Sequence, residues 1–271
     1  MLTLSFSQKR PKAIVMKRAY LMSRIVRSLG IVTLCLGLCV ALTPAHAQAF
    51  TGKTVNAADN IFGAGQASPP GGGNLPTGYT LDPGAGRTLT FSSVTGSATF
   101  NASNFNDPDG IGSVSNSSTN AASGLSGITN LNHAGYLAGV FLPATGATGP
   151  TPSTLVFSDT GTSGSIATSF TSLSPALDQT FFIGDGMTGD GIGSVQQFVV
   201  PAEATRLYLG FADAPGYHGD PGAYGDNFGN FTASFTVSGG VTATPEPSSY
   251  ALLLASAFSG LTVVNRRRRK A

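Results

Sequence analysis

The chain of 271 residues is long enough for one or two domains, but only 10% of its residues are charged, 36 are glycine and none is tryptophan. This composition is unusual for a cytosolic enzyme. The formal net charge of +2 hides a strong segregation of charge along the chain. Between Gln48 and Thr244, 12 acidic residues stand against only three basic ones, Lys53, Arg87 and Arg206, which leaves a formal charge of −9. That acidic middle region disfavours a nucleic-acid partner.

The two cysteines, Cys35 and Cys39, lie within an apolar run near the N-terminus. If that run is removed during export, the mature protein contains no cysteine and therefore no disulfide. A buried apolar core must then hold the fold together, with bound metal as an additional source of stability. The roughly 200 residues that remain are enough for one such core.

The N-terminal region has the features of a Sec signal peptide in the expected order. Arg24 and Arg27 precede an uncharged apolar stretch at residues 29–42, and Ala45 and Ala47 supply the small side chains that signal peptidase accepts at its cleavage site. The alternative is a retained membrane anchor. The apolar stretch is short for that role, because the hydrocarbon core of a bilayer is about 30 Å thick.

The predicted signal peptide covers residues 1–47. Counted from Met1 it is unusually long, whereas a start at Met16 or Met22 gives an ordinary length. The length therefore indicates Met16 or Met22 as an alternative start of translation.

The C-terminal region, residues 241–271, has the pattern of a sorting signal. Pro245, Glu246 and Pro247 precede an uncharged apolar span at residues 248–264, which is predicted to be a single transmembrane helix. The span is followed by five basic residues, which are Arg266, Arg267, Arg268, Arg269 and Lys270. Cations at this position hold their end of the span on the cytoplasmic side of a membrane.

This order of motif, span and basic cluster resembles the PEP-CTERM signal of Gram-negative bacteria. The resemblance implies that an exosortase, a transpeptidase-like membrane enzyme, recognises the Pro-Glu-Pro motif. It also implies a transient stay in the inner membrane on the way to the cell surface or the extracellular matrix. The alternative is an ordinary single-span C-terminal anchor. Both interpretations export the middle of the chain.

The middle of the chain is predicted to be all-β. Residues 48–86 are rich in Gly and Pro and are predicted to form a loosely ordered lead-in with one strand. In residues 87–240, short segments alternate apolar and polar residues with the period of two that half-buried strands require, and no segment has the pattern of an amphipathic helix. Eight strands are predicted, at residues 88–92, 97–101, 135–142, 154–158, 179–184, 195–200, 206–211 and 231–237. Short strands separated by turns predict an antiparallel β-sandwich of the jelly-roll, galactose-binding-like type.

A Gly-rich loop at residues 213–227 concentrates polar side chains between two predicted strands. It contains Asp213, Asp220, Asp226 and Asn227, and its Gly and Pro residues allow backbone carbonyls to turn inward. Carboxylate and carbonyl oxygens are the ligands that Ca²⁺ requires. The alternative is a hairpin loop in which Asp and Asn merely form turns.

The same part of the chain resembles the C-terminal half of the PA-IL type of galactophilic lectins, which are calcium-dependent β-sandwiches. The resemblance covers residues 181–237. It lies in Phe-Val-Val-Pro-Ala at 198–202, Arg-Leu-Tyr-Leu-Gly-Phe-Ala-Asp at 206–213 and Gly-Ala-Tyr-Gly-Asp-Asn at 222–227. In that family an Asp after the penultimate strand, a loop carbonyl and two adjacent polar side chains bind Ca²⁺, and the ion holds sugar hydroxyls.

The resemblance implies four calcium ligands here, which are Asp213, the carbonyl of Ala223, Asp226 and Asn227. A weaker match adds the carbonyl of Phe100. The Pro-Gly step occurs twice in this loop, which makes it longer than the lectin loop and lets Asp220 compete with Asp213 for the first role. Asp213 is preferred because it directly follows the strand. The remaining sugar contacts of the lectins find no confident match, so metal binding carries over better than galactose binding.

No catalytic residue is expected. His133 and His218 invite a catalytic interpretation, and His218 lies beside Asp220 in sequence, but neither a Gly-x-Ser-x-Gly elbow nor a His-Glu-x-x-His helix accompanies them. Asp107 and Asp109 can form either a second cation loop or a plain turn.

The sequence thus predicts a non-enzymatic, exosortase-sorted surface or matrix protein with a lectin-like domain that binds Ca²⁺ and glycans of an extracellular polysaccharide or biofilm. Signal peptidase and exosortase are the expected partners during export. One alternative is a structural or adhesive matrix protein without a sugar ligand. Another is a polysaccharide hydrolase, although the sequence does not identify its two carboxylates.

Overall fold

The structure is a computed structural model, and it describes residues 47–112, 116–147, 149–162, 164–189 and 191–240. The described chain is all-β, as the sequence predicts. Its helices are three short 3-10 turns, η1 (Ile61–Gly63), η2 (Pro215–Tyr217) and η3 (Tyr224–Asp226). Within the described ranges, no helix has the length and apolar character needed to cross a membrane. The predicted sorting signal, and the predicted signal peptide except for Ala47, lie outside these ranges.

Strands make up most of the regular structure. In chain order they are β1 (Ala47–Asn56), β2 (Gly78–Thr80), β3 (Arg87–Thr99), β4 (Ile111–Gly112), β5 (Ser117–Thr119), β6 (Ile128–Asn130), β7 (His133–Ala134), β8 (Ala138–Leu142), β9 (Leu155–Ser158), β10 (Ile166–Ala167), β11 (Ser172–Leu173), β12 (Thr180–Phe182), β13 (Met187–Gly189), β14 (Ile192–Val195), β15 (Gln197–Val200), β16 (Arg206–Gly210), β17 (His218–Gly219) and β18 (Phe228–Ser238).

The largest sheet has the strand order β1-β18-β3-β15-β11. Strand β18 shows why this sequence forms a half-buried strand, because Phe231, Ala233, Phe235 and Val237 are buried and the residues between them are not. Its neighbour β3 is one strand of 13 residues where the sequence predicts two. Gly96 lies between the two predicted strands, yet the strand continues through it. This residue adopts a φ of +114° and still pairs with β18.

A four-stranded sheet, β12-β8-β16-β2, packs against the largest sheet. Three pairs of aromatic rings join the two sheets, with centroids 5.2 to 5.4 Å apart. These pairs are Tyr79 with Phe235, Phe181 with Phe198, and Phe211 with Phe231. The result is a sandwich-like β architecture. All five residues of β8 are buried, which explains its continuous apolar sequence.

The sheets are not purely antiparallel, which corrects the prediction of an antiparallel β-sandwich. A further five-stranded sheet has the order β10-β9-β6-β5-β17, and three of its four strand pairs are parallel. In the largest sheet, β11 also pairs with β15 in parallel. The parallel partners are two to four residues long and are reached through long connections, whereas an antiparallel pair can be closed by a tight turn. Two further antiparallel pairs form separate two-stranded ribbons, β13 with β14, which are neighbours in the chain, and β4 with β7, which are separated by β5 and β6.

The segment at residues 48–86 is an integral part of the fold, which corrects the prediction of a loosely ordered lead-in. Strand β1 pairs with β18 along most of its length, and β2 pairs with β16. Ile61 and Phe62 of η1 are fully buried. The Gly-rich turn is tied down by Asn60, whose side-chain amide donates to the carbonyls of Pro70 and Gly72 at 2.7 and 2.9 Å. Few apolar residues are therefore enough, because most of the large ones are buried in the core, with Leu75 as the exposed exception.

Candidate functional site

Three chain segments meet at one end of the sandwich, and the fold determines their order. Strand β16 runs toward Asp213, β3 ends just before Phe100, and β18 begins just after Asn227. The register of β18 on β3 pairs Phe228 with Thr99, so that Asn227 and Phe100 extend from neighbouring strand ends. The backbone N–H of Ala102 donates to the carbonyl of Asp226 at 3.2 Å, which holds the loop after β3 against the loop before β18.

The long loop after Asp213 is closed by hydrogen bonds back to its own start. The N–H of Gly222 donates to the carbonyl of Asp213 at 2.9 Å. The buried hydroxyl of Tyr224 accepts from the N–H of Asp213 and donates to the carbonyl of Phe211, both at 3.1 Å. Tyr224 therefore fixes Asp213 relative to the far end of the loop.

The carboxyl of Asp213 is buried, with only 2% of the residue exposed. Burial raises the pKa of Asp213 to about 6, although the Asn227 amide and the hydrogen bond from the N–H of Ala214 oppose this effect. The negative charge of Asp226 raises the pKa further, so the two carboxylates are close enough to repel each other. A buried carboxylate beside a second, exposed carboxylate is stabilised when a cation binds to it.

Two oxygens at this site are buried without a hydrogen-bond partner among the described residues. They are Oδ2 of Asp213 and Oδ1 of Asn227. The other oxygen of Asp213 accepts from the N–H of Ala214 at 2.8 Å, and the amide nitrogen of Asn227 donates to the carbonyl of Ala57 at 3.1 Å. The bond to Ala57 sets the orientation of the Asn227 amide and leaves its oxygen as an acceptor. The Asn227 amide lies beside Asp213, but no hydrogen bond of normal geometry reaches Oδ2.

The carbonyl of Phe100 lies 3.5 Å from the hydroxyl of Tyr217, which is a long contact. Burial raises the pKa of Tyr217, and the charges of Asp213 and Asp226 raise it further. The structure therefore places Asp213, Asp226 and Asn227 near one another, and it places the Phe100 carbonyl next to Tyr217, a neighbour of the two carboxylates.

Ala223 is an exposed residue immediately before η3. Its φ of +68° places it in the left-handed region, which is uncommon for a residue other than glycine. This conformation turns the chain sharply between the closing bond at Gly222 and the buried ring of Tyr224. Such strained positions are found at sites where a peptide group must be turned toward a ligand.

Asp220, the alternative to Asp213, is placed differently. It is exposed and accepts a hydrogen bond at 2.9 Å from the side-chain amide of Asn120, which follows β5. The preceding residues form β17, which pairs with β5. The carboxylate that shares the site with Asp226 is therefore that of Asp213, while Asp220 attaches the loop to another sheet.

Sequence reasoning missed Tyr217 and Asn101. Tyr217 lies in the part of the loop where the match to the lectins is interrupted, and Asn101 stands directly after the weakly matched Phe100. The Asn101 side chain lies close enough to the Tyr217 hydroxyl to lower its pKa. No periodicity or motif singles out either residue, because Tyr217 is held by the pairing of β17 with β5 and is far from Asn101 in sequence.

A second polar region forms a separate cleft of about 280 Å³, lined by Asp107, Asp109, His133, Phe182 and Met187 among others. The N–H of Gly110 donates to the carbonyl of Asp107, and the N–H of Asp109 donates to the Asp107 carboxylate, both at 3.1 Å. These are the bonds of a turn.

Neither histidine belongs to the Asp213 site. Nε2 of His133 lies 2.7 Å from the carboxylate of Asp159. His218 is an exposed residue of β17, and the Asp220 that is close to it in sequence is bonded to Asn120.

The predicted signal residues contribute little to the described structure. Ala47 is the first residue of β1 and pairs with Ser238 of β18, whereas Ala45 lies outside the described residues. The sorting residues Pro245 to Pro247 and Arg266 to Arg269 also lie outside them.

No family model, no curated protein and no solved structure matches this chain. Within the described part of the chain, no three His, Cys, Asp or Glu side chains form a metal-binding group. The site at Asp213 is of a different kind, because it combines two carboxylates with an amide oxygen and a carbonyl. This mixture of oxygen donors suits a hard cation such as Ca²⁺ rather than zinc, which prefers nitrogen and sulfur.

Proposed function

We propose that this protein is an exported, non-enzymatic surface or matrix protein whose β-domain binds Ca²⁺ at the loop ends and uses the ion to bind carbohydrate. The proposal rests above all on one observation, the two buried oxygens of Asp213 and Asn227 that have no partner among the described residues. Leaving such acceptors unsatisfied costs on the order of 1–3 kcal/mol each, more when the group is charged. A bound cation would satisfy both at once.

Asp213, Asp226 and Asn227 would supply side-chain oxygens to the ion, and Phe100 and Ala223 would supply carbonyls. Calcium takes six to eight oxygen ligands, so five protein donors leave room for one to three oxygens from outside. Vicinal hydroxyls of a sugar ring fit that role, which is how the lectins of the PA-IL type use their ion. The resemblance makes galactosides the first ligands to test.

A glycan array tests carbohydrate binding directly. The domain should bind a set of glycans in the presence of Ca²⁺ and release them on addition of EDTA, and Asp226→Ala should bind none of them. Because Asp226 is exposed, the variant should remain folded. An array without calcium-dependent signal would favour the second candidate function, a structural or adhesive matrix protein. The lack of a match for the other sugar contacts of the lectins is the observation that favours this candidate.

The export proposal rests on the sequence of the two ends. In a bacterium that contains an exosortase, the protein should leave the membrane fraction in a processed form, and replacement of Pro245, Glu246 and Pro247 by alanine should retain it there. Equal release of both forms would contradict recognition of the Pro-Glu-Pro motif.

A further inference from the structure

Tyr217 is held in an unusual backbone conformation at the cation site. It follows Gly216, and both residues lie in the left-handed region, with φ of +65° and +64°. For a residue other than glycine this conformation costs roughly 1–2 kcal/mol. The N–H of Tyr217 donates to the carbonyl of Ala214 at 2.8 Å, which closes the turn. Surrounding structure must therefore keep Tyr217 in place.

The pairing of the loop with β5 helps to hold Tyr217 in this conformation. Residues His218–Gly219 pair with β5 as strand β17, and the backbone N–H of Asn120 donates to the carbonyl of Gly219 at 2.7 Å. The side chain of Asn120 also donates to Asp220. Tyr217 thus lies between two anchored points, the Asp213 end of the loop and the β5 edge.

The side chain of Tyr217 lies near the two carboxylates of the site and next to the Phe100 carbonyl. Its hydroxyl is 3.5 Å from the carbonyl of Phe100, and its charge neighbours are Asp213 and Asp226. The ring is half-buried and packs against the core, so one part of the side chain remains accessible to solvent. An aromatic ring with an accessible edge and a hydroxyl can contact both the C–H groups and the oxygens of a polyol.

Cation binding changes what the Tyr217 hydroxyl can bind. A cation held by the Phe100 carbonyl would compete with the Tyr217 hydroxyl, which now donates to this carbonyl over a long distance. The hydroxyl would then be available to donate to an oxygen of a ligand that the ion holds.

We propose that Tyr217 is a specificity-determining residue that contacts the hydroxyl-bearing ligand held by the cation at Asp213, Asp226 and Asn227. The proposal rests on the proposed calcium-dependent function. It assigns a role to the segment that makes this loop longer than the lectin loop. Tyr217 acts on the bound ligand and not as a calcium ligand.

The test separates calcium affinity from glycoside affinity in Tyr217→Phe. Both are measured by calorimetric titration on wild type, Tyr217→Phe and the control Tyr208→Phe, whose hydroxyl accepts from Arg206 at 2.9 Å. The probes are CaCl₂ and then methyl α-galactoside, methyl α-glucoside and methyl α-mannoside at saturating Ca²⁺. Calcium affinity should stay within about twofold, and the affinity for the bound glycoside should fall about tenfold, the loss expected for one hydrogen bond. Tyr208→Phe should change neither.

Terbium luminescence adds a readout of proximity, since the protein contains no tryptophan and tyrosine must sensitise the ion. Tyr217→Phe should reduce calcium-displaceable terbium emission more than Tyr208→Phe does. Unchanged glycoside affinity in Tyr217→Phe, or a parallel fall of calcium and glycoside affinity, would overturn the proposal. So would a calcium-loaded wild type that binds none of the three glycosides, which would leave the calcium site standing. A wild type that binds no calcium would instead refute the proposed function itself.

Discussion

Asp213 and Asn227 each bury one oxygen that accepts no hydrogen bond from the described residues. The two side chains are neighbours in space and come from opposite ends of one loop. The second atom of each side chain is bonded to backbone, at Ala214 and Ala57 respectively. The two side chains are therefore oriented before any ligand arrives. Such an arrangement lowers the cost of binding, because little conformational freedom remains to be lost.

Asp213 should make the stability of the cation-free protein depend on pH. Its pKa is raised from 3.8 to about 6 on folding, so the folded state binds the proton more tightly than the unfolded state. The free energy of unfolding should therefore fall as the pH rises from about 4 to about 6, by an amount on the order of 3 kcal/mol from this group.

Urea unfolding in EDTA at a series of pH values measures this effect. Asp213→Asn should be more stable than wild type at pH 7 and similar to it near pH 4, because the variant has no charge to bury. Asp220→Asn, which changes an exposed carboxyl of the same loop, should keep the pH dependence of wild type. A constant difference between Asp213→Asn and wild type at all pH values would show that burial of this charge is not costly.

Tyr224→Phe should weaken calcium binding through the position of Asp213. The hydroxyl of Tyr224 joins the N–H of Asp213 to the carbonyl of Phe211, and its loss leaves the buried N–H of Asp213 without its acceptor, while the Phe211 carbonyl keeps its bond from the N–H of Ile61. We expect the free energy of unfolding to fall by about 1–3 kcal/mol and the calcium affinity to fall with it. Chemical unfolding and calcium titration of the same sample check both values. A variant with lower stability and full calcium affinity would show that Asp213 is positioned by other contacts.

Arg87 should be one of the most sensitive positions outside the site. Only 1% of the residue is exposed. Its guanidinium donates to the carbonyls of Asp82, Pro201, Ala202 and Ala204. Arg87→Met removes the donor to one buried and three partly buried carbonyls and should cost about 3 kcal/mol of unfolding free energy.

Arg87→Lys should restore little of this stability, because an ammonium group cannot reproduce the planar fork of five donors. Lys53→Met is the matched control, since Lys53 is a partly exposed basic residue of β1, and its effect should stay within about 0.5 kcal/mol. Thermal or urea unfolding compares the three variants. Equal stability of Arg87→Met and Lys53→Met would contradict a structural role for the buried guanidinium.

A chain of residues 87–240 should fail to fold, whereas residues 47–240 should fold cooperatively. The shorter chain lacks β1 and β2, so β18 and β16 each lose a hydrogen-bonded neighbour, and the buried ring of Phe235 loses its contacts with Phe50 and Tyr79. Circular dichroism and thermal unfolding of both chains compare them. A sharp unfolding transition in residues 87–240 would restore the sequence-based view of the preceding segment as a loose lead-in.

The sequence predicts the all-β class and several strands because alternation in a strand such as β18 directly reflects its burial. It does not predict the pairing of short strands such as β10, β11 and β17, which have two residues each and no detectable period. It also underestimates residues 48–86, because the composition of a segment does not reveal whether its few apolar residues are buried. The stabilising role of Asn60 in that segment depends on carbonyls 10 and 12 residues away along the chain, which no local pattern displays.

The candidate site could be predicted in part. Asp213, Asp226 and Asn227 stand out in the sequence because they lie in one polar loop whose residue types resemble those of a lectin family, although this loop is longer. The choice between Asp213 and Asp220 needs the structure, since it depends on the bond of Asp220 to Asn120. Tyr217 could not have been found from the sequence, because its place beside Phe100 is set by long-range strand pairing.

Calorimetric titration of the metal-stripped domain, residues 47–240, with CaCl₂ tests the central claim most directly. Wild type and Asp220→Ala should bind one Ca²⁺ per chain and gain thermal stability from it. Asp226→Ala should show neither heat nor stabilisation, because it removes one of the two carboxylates of the site. Absence of binding heat and of thermal stabilisation in wild type, or full binding by Asp226→Ala, would contradict the calcium site.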